Sequence, residues 1–295
     1  MIQSTFSPYV QLFDVENQKY TSQFNLDSGL EDEASYFYYN FRLLSAKISA
    51  DGSQIIAGTS RCLDGRARLQ FYDIKQQTVV TSIPAHDNDI NGICYVDKQN
   101  PSLVLTGSDD GLCKLWDFRT LKKTNKPVGI FYGHLSGITH VCSKEDMRYF
   151  ATNSKDQSIK LWDLRKLRAE EEKYYHFGFD YRMEKLSPVE IEKIQKAMKA
   201  NPLDESISTF FGHQVYVTLI RCHFSPKYNT DQRYIYTGSA DGAVYVYDIL
   251  SGKLAAKLEG NEDRVIRDCA WHPTNQSLVT ADFSGNLIKW DYADL

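Results

Sequence analysis

No two cysteines in this chain are spaced as Cys-x-x-Cys. Cys62, Cys94, Cys113, Cys142, Cys222 and Cys269 stand singly, most of them inside segments that read as strands. Zinc binding would need close ligand pairs, which are absent. The pattern therefore predicts buried free thiols, no metal and no cofactor, in a reducing intracellular compartment, nuclear or cytoplasmic. No apolar run approaches the ~20 residues needed to span a bilayer, which argues against a membrane role. Met1 is not followed by a basic, apolar and small-residue series, so no secretory signal is expected. A glycine-rich phosphate loop, a nucleophile elbow and a metal-ligand cluster are all missing, so catalysis on a small-molecule substrate is not expected. His140, His176, His223 and His272 stand apart and read as packing or surface residues. A net charge of −4 supplies no general attraction to nucleic acid or lipid. The 295 residues are 42% hydrophobic and 24% charged, enough apolar material for a large core in a soluble globular chain.

What the sequence does have is a repeat. Val104–Arg119 and Phe150–Arg165 match almost position for position: an apolar strand, a tight Asp turn, a second strand ending in Trp-Asp, then Arg two residues on. Aromatic-Asp pairs recur at Phe13-Asp14, Tyr72-Asp73, Trp116-Asp117, Trp162-Asp163, Tyr247-Asp248 and Trp290-Asp291, with Asp-to-Asp spacings of 59, 44, 46, 85 and 43. A histidine precedes three of them, at His86, Gly133-His134 and Gly212-His213. The segments between alternate apolar and polar residues and are rich in aromatic and β-branched types, as pleated strands favour.

Over nearly the whole chain this resembles the WD-repeat family, whose period is ~40–45 residues. The resemblance implies an all-β propeller of four-stranded blades, each needing a neighbour to bury its faces. It also implies that a His, a Ser or Thr, an Asp and a Trp form a buried hydrogen-bond chain within a blade. The matching residues are His86, Thr106, Asp110 and Trp116; then His134, Thr152, Asp156 and Trp162; then His213, Thr237 and Asp241 with Tyr247 for Trp. Two blades depart from the pattern. The last has Asn261 for His and Ser284 for the turn Asp, and the one ending at Tyr72 has no upstream His and a longer turn near Cys62–Arg66. Those two are expected to be the softer ones.

At ~43 residues per blade, the chain holds about five and a half blades of an expected seven, with about one and a half absent upstream, or else a smaller closed ring. The units are residues 1–15 (a partial blade), 16–74 (with an acidic insertion), 75–118, 119–164, 165–249 (with insertion 166–204) and 250–295. The first insertion, Asp27–Asn40, is acidic at Asp27, Glu31, Asp32 and Glu33, then aromatic at Tyr36, Phe37, Tyr38 and Tyr39; it reads as a solvated loop or a binding segment. In the second, Ser187-Pro188-Val189-Glu190 is a capping box with Pro in the first turn. An apolar stripe of Ile191, Ile194, Ala197 and Met198 follows, against a face of Lys193, Lys196 and Lys199. The predicted helix packs on the propeller or a partner, or lies free. Phe179-Asp180-Tyr181-Arg182 is too aromatic for a disordered linker.

In the WD-repeat fold, the loops leaving the third strand of each blade share one face. That face is expected to be basic, with the second insertion, Arg119, Arg165, Lys122, Lys123, Lys126, Lys166 and Arg168. The turns carrying Asp87, Asp89, Asp109, Asp110, Glu262 and Asp263 belong to the other, acidic face. Trp-Asp-x-Arg at a blade end resembles the docking motif of the WD-repeat substrate receptors that join cullin-4 ubiquitin ligases through the damage-specific DNA-binding-protein adaptor. Ser154–Asp163, Asp180-Tyr181-Arg182 within its insertion, and Leu219–Pro226 strengthen that likeness. It implies adaptor docking by Trp116, Asp117, Arg119, Trp162, Asp163 and Arg165. The protein to be ubiquitinated would meet a rim of Asp87, Asn88, Asp109, Gln214, Tyr216 and Arg264. A general scaffold for another assembly, in chromatin or RNA processing, is the alternative.

Overall fold

Alternating burial turns the repeat into sheets. The computed structural model describes residues 1–4, 7–26, 42–62, 64–99, 101–169, 172, 185–260 and 264–291, and only the backbone of Lys122 and Lys123. The first sheet holds β1 (Ile2–Ser4), β2 (Tyr9–Asp14) and β3 (Lys19–Asn25). The second holds β4 (Leu43–Ile48), β5 (Gln54–Arg61), β6 (Ala67–Asp73) and β7 (Thr78–His86). Next come β8 (Ile90–Tyr95), β9 (Leu103–Ser108), β10 (Cys113–Asp117) and β11 (Gly129–Phe131), with helix α1 (Phe118–Thr124) between the last two. The fourth sheet is β12 (Ile138–Ser143), β13 (Tyr149–Ser154), β14 (Ser158–Asp163) and β15 (Ser208–Phe211), with helix α2 (Pro188–Lys199) in the long connection before β15. The fifth is β16 (Cys222–Phe224), β17 (Tyr234–Thr237), β18 (Val244–Asp248) and β19 (Lys253–Leu258), with the short helix α3 (Lys227–Thr230) after β16. The sixth is β20 (Ile266–Trp271), β21 (Ser277–Asp282) and β22 (Leu287–Asp291).

Every sheet is an antiparallel meander, and successive sheets pack through their first strands. The register between β8 and β12 is fixed by three contacts. Asn91 Nδ2 donates to the Ile138 carbonyl at 2.9 Å, Gly92 faces the Val141 backbone, and Ser143 Oγ donates to the Val96 carbonyl at 2.5 Å. The partners advance together along both strands, so β8 and β12 run parallel. Thr139 Oγ1 to the Ile220 carbonyl, and Cys142 beside Cys222, give the same sense between the fourth and fifth sheets. Equivalent ends of neighbouring sheets therefore lie on one side of the molecule. The core lies between sheets; one cluster joins Cys94, Leu105 and Cys113 to Val141, Phe150 and Trp162.

Six sheets replace the five and a half blades expected. Lys19–Asn25 folds back onto β2 and makes residues 2–25 a three-stranded sheet. Repeat units and sheets are offset by one strand, because each unit begins with the outer strand of the preceding sheet. The first insertion lies outside the described residues, as do Phe179–Arg182 and Asn261, Glu262 and Asp263. No helix among the described residues is long and apolar enough to cross a membrane.

Candidate functional site

Each Trp-Asp-x-Arg segment closes into the same small structure. Asp117 ends β10 and caps α1, its carboxylate accepting from Arg119 N at 2.9 Å. The Arg119 guanidinium then folds back, Nε and Nη2 donating to the two Asp117 oxygens at 3.0 and 2.7 Å. Arg165 repeats this on Asp163 at 3.0 and 2.6 Å. Hydrogen bonds from the arginines hold both carboxyls below the ordinary carboxylate range. The aspartates are nearly covered, at 12% and 5% side-chain exposure, while the arginines stay open at 68% and 66%. Each fork is held in place by its own Asp, and Nη1 takes no part in that pairing. Parallel stacking of the sheets puts both forks at one end of adjacent sheets.

Two further arginines reach the same end by another route. Arg148 Nε donates to Asp163 at 3.3 Å, and Arg233 Nη2 to Asp248 at 2.6 Å. Asp248 is followed at the Arg position by Leu250, so Arg233 takes the role from the preceding strand. An Arg-Tyr pair opening β13 and β17 was the available signal. Of the lysines expected here, Lys126 and Lys166 are exposed, and Arg168 is engaged by Glu172 and Glu205.

The polar chains differ between blades. His86 Nδ1 lies 2.8 Å from Asp110 and Nε2 2.7 Å from Thr106 Oγ1, which accepts from Trp116 Nε1 at 2.9 Å. His134, Asp156, Thr152 and Trp162 repeat it at 2.9, 2.6 and 2.8 Å. Burial alone would raise the Asp156 pKa, but the facing His134 ring and the Ser158 hydroxyl outweigh it and the net shift is downward. The third chain does not form as expected. His213 reaches Tyr247 Oη at 3.1 Å and Asn153 Oδ1, in the preceding sheet, at 2.9 Å. Thr237 donates instead to the Arg221 and Gly238 carbonyls, and Asp241 accepts from Tyr245 Oη. The cause is Tyr247: its hydroxyl meets the imidazole directly, where a Trp would act through Thr.

The insertion does not stay on the arginine face as expected. Arg168 forms a β-bridge with Ile130, and Glu172 N donates to Tyr132 Oη, so the chain climbs the outer edge of β11. Helix α2 starts at the Ser187 capping box and buries Ile194 and Met198 against Leu135, with Leu186 and Phe211 beside them. Leu135 follows His134, at the opposite end of β14 from Arg165. Lys160, fully buried, then pins the exit by pairing with Asp204 and donating to Thr209 Oγ1 at 2.9 Å. Burial would raise Asp204, and Lys160 pulls its pKa below the ordinary value.

That route changes the other rim. Tyr216 is buried, its hydroxyl accepting from Leu186 N, and cannot offer a free surface. Asp109 is taken up by Lys155 at 2.7 Å and Asn91 at 2.6 Å, and Asp89 accepts from Arg61 N. Asp110 faces His86. Asp87 is exposed, 3.7 Å from Arg66; Asn88 and Gln214 are half-buried, and Arg264 lies 3.6 Å from Asp282. Among the described turn residues, Asp89, Asp109 and Asp110 are thus engaged from within, their carboxylates taken up by hydrogen bonds that hold the turns. None of the six cysteines is in a disulfide, and five of them are buried. Three potential metal donors, His140, Cys142 and Cys222, nevertheless meet across two sheets, despite their distance in sequence.

The WD domain, G-beta repeat profile matches residues 77–117, 125–163, 204–248 and 252–291. The chain belongs to the WD-repeat family. Among WD-repeat relatives, the LEC14B protein of Lithospermum erythrorhizon is 41% identical over 270 residues, 90% of this chain and 54% of that protein. The DDB1- and CUL4-associated factor 11 homolog of Caenorhabditis elegans is 38% identical over 254 residues, 83% of this chain and 42% of that protein. The chain spans about half the length of these relatives. A chain from the "Crystal Structure of Mitotic Checkpoint Complex" superposes with a TM-score of 0.68 over 99% of this chain and 70% of its own length, at 16% identity, a likeness of fold.

Proposed function

We propose that this WD-repeat chain is a non-catalytic scaffold acting inside the cell as a substrate receptor of a cullin-4 ubiquitin ligase. Its adaptor docks on the face of Arg119 and Arg165. The observation that carries this reading is the pair of exposed guanidinium forks, each held by its own Asp at one end of adjacent sheets. A fork held this way loses little side-chain entropy on binding, and its outer edge can still donate to carboxylate or carbonyl groups. Similarity to proteins named DDB1- and CUL4-associated factor 11 supports DDB1 as that adaptor. The substrate would be taken on the other rim, where Asp87, Asn88, Gln214 and Arg264 remain accessible. In the test, purified adaptor is captured on immobilised wild type and on the Arg119→Ala/Arg165→Ala double variant. Capture should fall at least tenfold in the variant while its thermal unfolding stays close to wild type; undiminished capture removes the docking role. The alternative, a general scaffold in RNA processing or chromatin, draws on the 25% identity to the U5 small nuclear ribonucleoprotein 40 kDa protein of Homo sapiens. It predicts native complexes without cullin.

A further inference from the structure

The fourth and fifth sheets meet along β12 and β16. One ligand atom each from His140, Cys142 and Cys222 lies within 4.8 Å of the other two there. His140 and Cys142, two residues apart on one strand, project from the same face, and Cys222 comes from the strand opposite. The two sulfurs are 3.8 Å apart. A tetrahedral zinc ion with bonds of ~2.3 Å to two thiolates requires a sulfur separation of about 3.8 Å. His140 is 7% exposed, and its Nδ1 has no hydrogen-bond partner. Buried polar nitrogens are normally satisfied, so an unpartnered one on a ring grouped with two thiols points to a missing ligand. His223, with its ring 5.2 Å from that of His140, is committed through Nε2 to Asp268 at 2.8 Å.

We propose that His140, Cys142 and Cys222 form a zinc site that ties the fourth sheet to the fifth, with the fourth coordination position left to water. Two thiolates cancel the charge of the dication, and zinc suits a mixed nitrogen and sulfur set. Burial raises the Cys142 thiol well above its ordinary value, with Cys222 adding to the effect, so zinc entry must displace its proton. Both ligating strands are first strands, the ones that join neighbouring sheets. A metal bridge there acts on the contact that a propeller needs most, since one blade cannot bury its faces alone.

The purified chain, stripped with a chelator and reloaded with zinc chloride, should hold one zinc per chain by mass spectrometric metal analysis. Cobalt(II) in its place should give the sulfur-to-metal charge-transfer band and the strong visible absorption of a tetrahedral site. Cys142→Ser and Cys222→Ser should each lose the ion and the band, whereas Cys113→Ser and Cys269→Ser keep both. Chelation should lower the unfolding temperature of wild type but not of Cys142→Ser. Zinc well below one per chain, a weak octahedral cobalt spectrum on wild type, or a Cys142–Cys222 disulfide in the purified protein would each overturn the assignment. The cobalt spectrum is read on wild type, so the test stands even where a variant folds poorly.

Discussion

His213 occupies the same repeat position as His86 and His134 but faces different partners. In the two complete chains Nδ1 faces a carboxylate and Nε2 a threonine hydroxyl. In His213, Nε2 faces the Asn153 carbonyl oxygen and Nδ1 the Tyr247 hydroxyl, and neither partner is an anion. Burial lowers its pKa from 6.5 to about 4, with Asp156 and Asp241 opposing the shift. The folded value lies below the unfolded one, so the unfolded chain takes up the proton first. His213 therefore contributes its full share of stability above pH 6.5 and loses it as the pH falls toward 4. The whole span is worth roughly 3 kcal/mol, and the interval down to pH 5 about 2 kcal/mol. Urea unfolding at pH 7 and pH 5 should show that loss in wild type and about 2 kcal/mol less of it in His213→Gln. Equal losses would assign the acid sensitivity to other groups. At this scale the sequence discloses the residues of the two complete chains, because spacing alone aligns them. It hides the His213 state, which depends on how far a phenol reaches compared with an indole.

Close approach of elements depends on what a side chain leaves out. A Cβ on Gly92 would lie 2.8 Å from Val141 N and 3.1 Å from two His140 backbone atoms, so β8 and β12 touch backbone to backbone. Gly92→Ala must push the third and fourth sheets apart, at a cost on the order of 2 kcal/mol; a lowered urea midpoint with an unchanged slope is the expected readout. An unchanged midpoint would mean the sheets part freely. The capping box of α2 is readable from four residues, since both of its hydrogen bonds are local. Where that helix docks is not, because Leu135 and Leu186 reach it only in the folded chain. Helix α1 escapes notice for the opposite reason: Asp117 reads as the end of a strand, and its second role as a cap appears only when Arg119 N is seen to donate to it. Arg148 and Arg233 are not legible from the aromatic-Asp pairs, because they lie a strand earlier.

For the molecule as a whole, the repeat period identifies stacked meanders but not how evenly they are held. β14 is buried along its whole length, whereas β22 is exposed or half-exposed throughout. Trp290 reaches Thr280 at 3.2 Å, longer than the 2.8 Å of Trp162 to Thr152, and the Asp282 carboxylate is spent on Asn286 and not on a histidine. The second sheet has its own weakness: Gln70 is fully buried, with neither side-chain amide atom hydrogen-bonded. Local opening follows the density of buried contacts and satisfied polar groups. In native-state hydrogen exchange the amides of β21 and β22 should therefore open first, those of β5 and β6 next, and those of β13 and β14 last. The span from first to last should be on the order of a hundredfold or more in rate. If β21 and β22 proved the best protected, the polar chain of His134, Thr152, Asp156 and Trp162 could not be what ranks the blades. The ranking bears on binding as well. Arg119 and Arg165 close the third and fourth sheets, whose complete polar chains would keep the proposed docking surface rigid while the sixth sheet opens.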